Sequence, residues 1–413
     1  MKRNVAFMVI LAISAMTVGA ETKWKGEEVV QDGALHVMNP EEPLEEVRLE
    51  LEELWRRGGD EDDLLFGLVV QLVKDETENI YLLDSQLSEI QVLSPSGDHL
   101  RTIGREGEGP GEFRNASDMY LGPGGLLGVV QTFPGKVVQL MTDGTPAGNF
   151  ALPEEPGGGF QLVFIGRSNP DRILLAGAKQ KLEGGKQMQV TYLKAYDKDG
   201  NEIVHFHEQS QETQFGGMKF KEKTFSDFSR RWALAPDGRV AAALDVDAYR
   251  IHIWNPDGSV NRVIERKGYT PVVRAEKDKE RFQQLFDGIT RWNPGSTFEV
   301  SPTHTAVNQI FFRDDGSLWV LSSKGAWERE EGVFASFDVY DRDGRYVRRA
   351  HLILDGDPVD DGVFFVGDRL YRVTDLFSAF LANFGGDVTD DADEEPEPVQ
   401  IIAHRFEPDG GKE

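Results

Sequence analysis

The feature that most constrains this chain is a pair of tight-turn signals that recurs six times. The first signal of each pair lies at Asn79, Gly125, Asp171, Asp237, Asp315 and Asp368, and the second ends at Gly97, Gly144, Gly200, Gly258, Gly344 and Gly410. Short runs rich in Val, Ile, Leu, Phe or Tyr lie between them. Because glycine tolerates the positive φ of hairpin turns, the pattern predicts repeated units of strand, turn, strand, loop, strand, turn and strand.

Six such units of about 40 residues predict an all-β fold, a six-bladed β-propeller whose sheets are arranged radially around an axis. The sixth unit supplies only three strands before the C-terminus. We expect an N-terminal strand to complete it, because a borrowed strand leaves no open edge at the seam. Two segments are candidates for this strand, "GALHVMN" at 33–39 and "VRLELEEL" at 47–54.

The long connections are expected to share one end of the propeller, called the top face here. Neighbouring strands of a blade run in opposite directions. The connections from strand two to strand three, and from one blade to the next, therefore lie at the same end. They include residues 178–188, 207–227, 265–307, 322–332 and the acidic loop 383–398. Since binding residues concentrate on loops held by a rigid scaffold, we expect the functional surface at the top face.

One helix is predicted within these connections, over about residues 274–290. Phe282, Leu285, Phe286 and Ile289 follow the i, i+3, i+4, i+7 spacing of an amphipathic helix. The favoured interpretation is a helix laid over the top face and held by its apolar side. The alternative interpretation is a lid or a partner-docking element.

The N-terminus predicts export. A basic start, an apolar run from Val5 to Val18 and small residues before Glu21 are typical of a signal peptide at 1–20, which leaves residues 21–413 as one propeller domain. Removal of Lys2 and Arg3 with this segment changes the formal net charge from −26 to −28. Such an acidic protein is a poor partner for nucleic acid. The chain has no cysteine, which excludes disulfides and thiol chemistry.

One segment carries a family resemblance. Residues 79–113, "NIYLLDSQLSEIQVLSPSGDHLRTIGREGEGPGEF", resemble an NHL-type repeat, and the chain as a whole resembles exported bacterial six-bladed β-propellers with NHL-type repeats. "NASDM" after Phe113 departs from the pattern, which usually has a proline there. The glycine-rich end of the segment is read as a corner between blades. No Gly-Lys-Ser/Thr follows it, and a strand-like run stands where a dinucleotide fingerprint needs a helix.

Three aspartates, Asp84, Asp245 and Asp375, end the second strand of their units and could converge at the channel mouth. Carboxylates in that position suit Ca²⁺ or another divalent cation. Propellers of the gluconolactonase and regucalcin kind hold a metal there, as the resemblance implies. The favoured alternative is structural, with each carboxylate accepting backbone hydrogen bonds from its loop. The equivalent residues Gln131 and Ser322 are neutral.

Five other residues are candidates for ligand contact at the top face: Arg105, Arg114, Phe133, His304 and Trp327. The two arginines flank the glycine-rich corner, where they could pair with neighbouring glutamates or reach a ligand carboxylate. Phe133 and Trp327 stand in long connections, and exposed aromatic residues anchor interfaces. His304 precedes the inner strand of the fifth unit and is the histidine expected nearest the channel.

These observations favour an exported, monomeric, non-catalytic binding scaffold in the periplasm or outside the cell. Its expected partner is a peptide, a glycan or a protein, with no nucleic acid, no membrane span and no cofactor. The alternative is a divalent-metal-dependent propeller enzyme of the lactonase or lyase type. A third reading is a cell-surface module for a protein partner. No G-x-S-x-G or His-Glu-x-x-His motif is present.

Overall fold

The computed structural model describes residues 23–150, 152, 161–213, 219–222, 230–291, 295–383 and 398–407. The predicted signal peptide, nearly all of the acidic loop 383–398 and the last predicted turn at 409–410 lie outside these residues. The N-terminal strands are β1 (Glu27–Gln31), β2 (Ala34–Asn39), β3 (Glu45–Glu50) and β4 (Glu52–Gly58).

The first three blades are regular antiparallel sheets of four strands each. Blade 1 contains β5 (Val69–Lys74), β6 (Ile80–Asp84), β7 (Glu89–Leu93) and β8 (His99–Ile103). Blade 2 contains β9 (Ala116–Gly122), β10 (Leu126–Gln131), β11 (Lys136–Met141) and β12 (Pro146–Phe150), with a short 3₁₀ turn at Pro123–Gly125. Blade 3 contains β13 (Gln161–Asn169), β14 (Arg172–Glu183), β15 (Lys186–Tyr196) and β16 (Glu202–Thr213).

The remaining three blades carry the helices. After β17 (Lys219–Lys221), blade 4 contains β18 (Trp232–Leu234), β19 (Val240–Ala242), β20 (Arg250–Trp254) and β21 (Val260–Arg266), followed by α1 (Glu276–Arg291) and β22 (Thr297–Glu299). Blade 5 contains β23 (Val307–Phe312), β24 (Leu318–Ser322), α2 (Ser323–Trp327), β25 (Ala335–Tyr340) and β26 (Tyr346–Ile353). Blade 6 contains β27 (Gly362–Val366), β28 (Arg369–Val373), α3 (Leu376–Asn383) and β29 (Gln400–Arg405). The predicted six-bladed β-propeller is therefore confirmed.

The turns that carried the sequence prediction have the conformation that glycine favours. Gly97, Gly144 and Gly258 have φ values of 88°, 90° and 85°. The residue before Gly258 adds a side-chain bond, because the Asp257 carboxylate accepts from the backbone N–H of Ser259 at 2.9 Å. Asp-Gly thus supplies both the positive φ and the local hydrogen bond that a tight hairpin needs.

An N-terminal strand closes the ring, as expected, although the segment differs from both candidates. β4 pairs antiparallel with β29 and completes blade 6, and it overlaps "VRLELEEL" only at residues 52–54. Two of the other three N-terminal strands run parallel to outer strands, β2 beside β21 in blade 4 and β3 beside β26 in blade 5, and β1 pairs antiparallel with β2. The N-terminal segment therefore passes along three consecutive blades before it closes the ring.

The core consists of apolar clusters between neighbouring blades. The described residues form six such clusters, one at each of the six blade–blade interfaces. Alternate residues of one strand face opposite neighbours: Ile80 and Leu82 pack towards blade 6, whereas Tyr81 and Leu83 pack towards blade 2. Because a blade is buried on both faces, its second strand is an unbroken apolar run rather than an alternating one.

Two predicted loops contain regular structure instead. Residues 178–188 form the end of a long hairpin, in which β14 and β15 stay paired up to Glu183 and Lys186. Gly184 and Gly185 make the turn with φ values of 59° and 80°, and two consecutive positive φ values suit a two-residue hairpin. Part of 207–227 continues β16 up to Thr213, and Lys219–Lys221 pairs with Thr297–Glu299.

The helix predicted over about 274–290 is α1, and two shorter helices that the sequence pattern did not indicate join it within the described residues. Phe286 of α1 is buried and stacks on Phe298, and Phe282 is half-buried. The structure does not describe the side chain of Ile289. None of the helices in the described part of the chain is both long and apolar enough to cross a lipid bilayer.

Candidate functional site

The helices share the top face. α1 connects blade 4 to blade 5, and α2 and α3 connect the second strand to the third in blades 5 and 6. In a four-stranded up-and-down sheet, these connections leave at the same end, opposite the tight turns. The helical part of the top face is therefore assembled from three connections that are far apart in sequence.

α1 and α3 are held together by aromatic and charged contacts. The rings of Phe282 and Phe377 lie 6.0 Å apart. The Arg281 guanidinium lies 4.7 Å from the centre of the Phe377 ring and donates to the carboxylate of Asp360. The cation–π interaction joins the two helices directly, and the ion pair joins α1 to the connection before β27, where the carbonyl oxygen of Asp360 accepts from the backbone N–H of Phe377 at 2.9 Å.

His304 and Trp327, which were predicted independently as ligand contacts, lie against each other. Their rings stack with centres 3.8 Å apart and an angle of 21°. The second ring nitrogen of His304, Nε2, lies 3.2 Å from the carboxylate of Asp278 on α1. His304 is 1% exposed, and burial together with the nearby Arg274 lowers its pKa to about 4. His304 is therefore neutral at physiological pH, and it links blade 5 to α1 and α2.

A buried ion pair that sequence reasoning missed fixes the base of α1. Arg274 donates through both terminal nitrogens to Glu222, at 2.7 and 2.8 Å, and Glu222 also accepts from the backbone N–H of Ser301 at 2.7 Å. The Arg274 guanidinium stacks 4.2 Å from the ring centre of Phe282. No local pattern could have shown this pair, because its two residues stand 52 positions apart in irregular segments.

Arg105 and Arg114 pair with glutamates of their own corner. Arg105 is 78% exposed, and its Nε donates to Glu112 at 2.7 Å. A bond from the backbone N–H of Gly109 and the Arg105 pair together lower the pKa of Glu112. Arg114 lies 3.2 Å from Glu108, which also pairs with Lys136 at 3.2 Å. Pairing with neighbouring glutamates was one of the two expected arrangements.

Phe133 lies on another part of the top face. It belongs to the connection between β10 and β11 of blade 2, whereas His304 and Trp327 belong to blade 5. Its side chain is 58% exposed. The structure therefore brings together two of the five predicted contact residues and places the other three at blades 1 and 2.

Only one of the three predicted aspartates ends a second strand: Asp84 is the last residue of β6, whereas Asp245 lies three residues beyond β19 and Asp375 two residues beyond β28. Asp84 is buried and accepts from the backbone N–H groups of Gly67 at 2.7 Å, Leu68 at 3.1 Å and Leu87 at 3.0 Å. Asp245 is 43% exposed and pairs with Arg250 at 3.3 Å. Asp375 adopts a φ of 51° and donates its backbone N–H to Asp361 at 3.0 Å. Across the described ranges, no three His, Asp or Glu side chains are grouped so as to hold a metal ion.

A cluster of polar side chains lies on the innermost strands of blades 1 to 3. Gln71 of blade 1 donates to Asp118 of blade 2 at 2.6 Å. The same carboxylate accepts from the backbone N–H of Gly166 at 3.0 Å and from Arg167 of blade 3. Burial raises the pKa of Asp118, and the charge of Arg167 opposes that shift. One signal was visible in the sequence, an aspartate inside the otherwise apolar strand "ASDMYLG".

Comparison with known proteins agrees with this architecture. A family model named DUF5128 and described as a 6-bladed beta-propeller matches residues 61–232. No match was found among curated proteins.

Several solved structures resemble the chain at low identity. A protein of Bacteroides fragilis named as a candidate exported protein is 14% identical, with a TM-score of 0.46 over 87% of this chain and 99% of the other. A gluconolactonase from Xanthomonas campestris is 10% identical, with a TM-score of 0.40 over 82% of this chain and 87% of the other. Regucalcin from Agrobacterium tumefaciens, a calcium-binding protein, is 12% identical, with a TM-score of 0.41 over 87% of this chain and 97% of the other. Sequence pattern, strand pairing and the family match thus lead to one conclusion: the chain is a six-bladed β-propeller.

Proposed function

We propose that the protein is an exported, non-catalytic binding scaffold that engages its partner through the helical part of the top face. The observation that carries this proposal is the direct packing of α1 on α3, with Phe282 and Phe377 6.0 Å apart. Connections from different blades have no reason to pack on one another unless they form a common surface. Proteins place binding residues on such connections because the scaffold beneath them is rigid.

The charged groups beneath this surface favour preorganisation. Arg274 is paired with Glu222 at the base of α1, and Arg281 of α1 is paired with Asp360 in the connection before β27. Both pairs are buried or half-buried, so they resist rearrangement. A surface that is already ordered loses less conformational entropy when a partner binds, which raises affinity without additional contacts.

The burial and the low pKa of His304 favour a role in binding over a role in proton transfer. A general base must reach the proton that it removes, and its pKa is best placed near the working pH. His304 is buried under Trp327, and its pKa is about 4. Its evident contribution is to hold Trp327 and α1 in place, which is what a binding surface requires.

Export and the class of partner rest on the sequence. The N-terminal basic and apolar run supports secretion, and the formal net charge of −26 disfavours nucleic acid. The proposed partner is a peptide, a glycan or another protein. Partly exposed aromatic residues of the helical part, such as Phe282 and Phe377, suit all three classes.

The absence of cysteine permits a direct test. A single cysteine introduced at Gln284, which is exposed on α1, can carry a photo-crosslinker at the top face. Lys198→Cys places the same group at the β15–β16 turn on the opposite end, where the side chain is 88% exposed. After incubation with the secreted and periplasmic fractions, we expect one defined crosslinked partner from Gln284→Cys and none from Lys198→Cys.

Small ligands require a second readout. Trp327 fluorescence is expected to change on addition of the recognised peptide or sugar, and the change is expected to vanish in Trp327→Phe. Equal capture at both cysteine positions, or preferential capture at Lys198→Cys, would show that the top face is not the binding surface.

A further inference from the structure

The innermost strands of blades 1 to 4 are linked near the propeller axis by side chains from four blades. Gln71 and Asp118 join blades 1 and 2, and Asp118 and Arg167 join blades 2 and 3. The Arg167 guanidinium in turn lies 5.7 Å from the centre of the Trp232 ring of blade 4. These four strands border the central channel, because each is the first strand of its sheet.

Arg167 retains hydrogen-bonding capacity in this arrangement. Its Nη1 donates to Asp118 and, at 2.8 Å, to the carbonyl oxygen of Gly166. Within the described residues, no hydrogen-bond acceptor is found for its Nε or Nη2. The side chain is 32% exposed, so this second edge of the guanidinium is open to solvent or to a ligand.

Trp232 adds a second unused donor beside Arg167. Its side chain is 2% exposed, and within the described ranges its buried Nε1 has no hydrogen-bond partner. A buried N–H group without an acceptor lowers the stability of the fold, because it has lost its hydrogen bonds to water. Such a group calls for an acceptor that the described residues do not provide.

The acceptors at this place are already used. Asp118 receives bonds at both oxygens, from Gln71 on one and from Gly166 and Arg167 on the other. The remaining capacity is therefore made up of donors only: one edge of a planar guanidinium and an indole N–H. The guanidinium edge pairs with two acceptor oxygens of a carboxylate or of a phosphate, and of these two groups only the carboxylate is planar like the guanidinium itself.

We propose that Arg167 and Trp232 form a carboxylate-binding site at the channel wall, and that the ligand is a small molecule bearing a carboxylate group. Asp118 is the positioning residue, because it fixes Nη1 and leaves the Nε–Nη2 edge for the ligand. This site is separate from the top-face surface of the proposed function and does not depend on it.

The net negative charge of the whole protein restricts how an anion can bind at this site. With a formal net charge of −26, the long-range field repels anions, so affinity must come from short-range donors at a partly buried site. Salt screens this repulsion, so carboxylate binding at the site is expected to persist as the ionic strength rises.

The test uses acetate and succinate as probes, with phosphate and sulfate at equal ionic strength to separate planar from tetrahedral anions. Thermal unfolding and tryptophan fluorescence of the full chain are the readouts. We expect the carboxylates to stabilise the wild type and to change its fluorescence, with a much smaller response to phosphate and sulfate. Trp232→Phe should lose the fluorescence change.

Variants assign the effect to Arg167. Arg167→Lys keeps the charge but removes the planar pair of N–H donors, and we expect it to weaken carboxylate binding about tenfold. If Arg167→Met fails to fold because Asp118 loses its counter-charge, the double variant R167M/D118N removes both charges and should fold without binding. Arg101→Lys is the matched control, because Arg101 also lies over an aromatic ring, Tyr81, but on an outer strand.

Three outcomes would overturn the proposal. The first is the absence of any wild-type response to carboxylates up to about 50 mM, a concentration well above the dissociation constant expected of a specific site. The second is equal binding by wild type and Arg167→Lys. The third is a preference for phosphate or sulfate, which would show that the site selects charge rather than the planar carboxylate.

Discussion

Asp84→Asn is the most direct test of whether the aspartates at the strand ends are structural. Asp84 is completely buried, and its two oxygens accept three backbone N–H groups, those of Gly67, Leu68 and Leu87. In the asparagine variant, the amide oxygen can still accept from Leu68 and Leu87. The amide nitrogen then faces the N–H of Gly67, so that two donors oppose each other and the ionic character of the remaining bonds is lost.

The magnitude follows from these bonds. Hydrogen bonds to a charged acceptor contribute about 1.5–3 kcal/mol, and a buried N–H without an acceptor costs about 1–3 kcal/mol. Because these terms overlap, we expect Asp84→Asn to lower the free energy of unfolding by about 2–4 kcal/mol. Urea unfolding followed by circular dichroism measures this change, as a lower midpoint at unchanged slope.

Asp245→Asn is the matched control. Asp245 follows the second strand of blade 4 by three residues, and it is 43% exposed and has one ion pair, with Arg250 at 3.3 Å. Exposed pairs contribute up to about 1 kcal/mol, so the loss should stay within that limit. Equal losses in the two variants would refute the structural account. A wild-type stability that falls on chelation, with Asp84→Asn insensitive to it, would instead indicate a metal bound at Asp84.

Two further predictions concern pH and ring closure. Burial, with the nearby Arg372, lowers the pKa of His404 to about 4, whereas the pKa in the unfolded chain is near 6.5. Between these two values the unfolded chain binds more protons than the folded one. The free energy of unfolding therefore falls as the pH drops from about 6.5 to 4. His404→Gln should remove up to about 3 kcal/mol of that decline, seen as a flatter dependence of the urea midpoint on pH, and an unchanged pH profile would contradict it. Deletion of residues 27–39 removes β1 and β2 but leaves blade 4 its own four strands. Deletion of 27–58 also removes β3, which lies at the outer edge of blade 5, and β4, whose loss opens the ring at blade 6. We therefore expect cooperative thermal unfolding to survive the first deletion and to be lost in the second, and equal behaviour of the two would argue against closure by β4.

The repeat could be recognised in the sequence because each tight turn is specified by a few adjacent residues. An Asp-Gly pair sets its own backbone conformation and part of its own hydrogen bonding, so turns such as Asp257-Gly258 could be found without knowledge of the fold. The amphipathic helix at α1 was found for the same reason, since its spacing lies within one segment. Six units of this kind leave few architectures, and the propeller followed.

The site depended on contacts that no local pattern contains. Asp84 and Asp245 look alike in sequence, yet Asp84 ends its strand and accepts from backbone donors, whereas Asp245 lies beyond its strand and pairs at the surface. The pairs Arg274–Glu222 and His304–Asp278 join segments 52 and 26 residues apart. Only the closed ring decides which inner-strand side chains meet, as Asp118 and Arg167 do. The sequence by itself determined the unit and its number, because strand and turn preferences act over a few residues. Tertiary structure decided the closing strand, the buried ion pairs and the channel-wall donors, because these arise where blades distant in sequence are packed side by side.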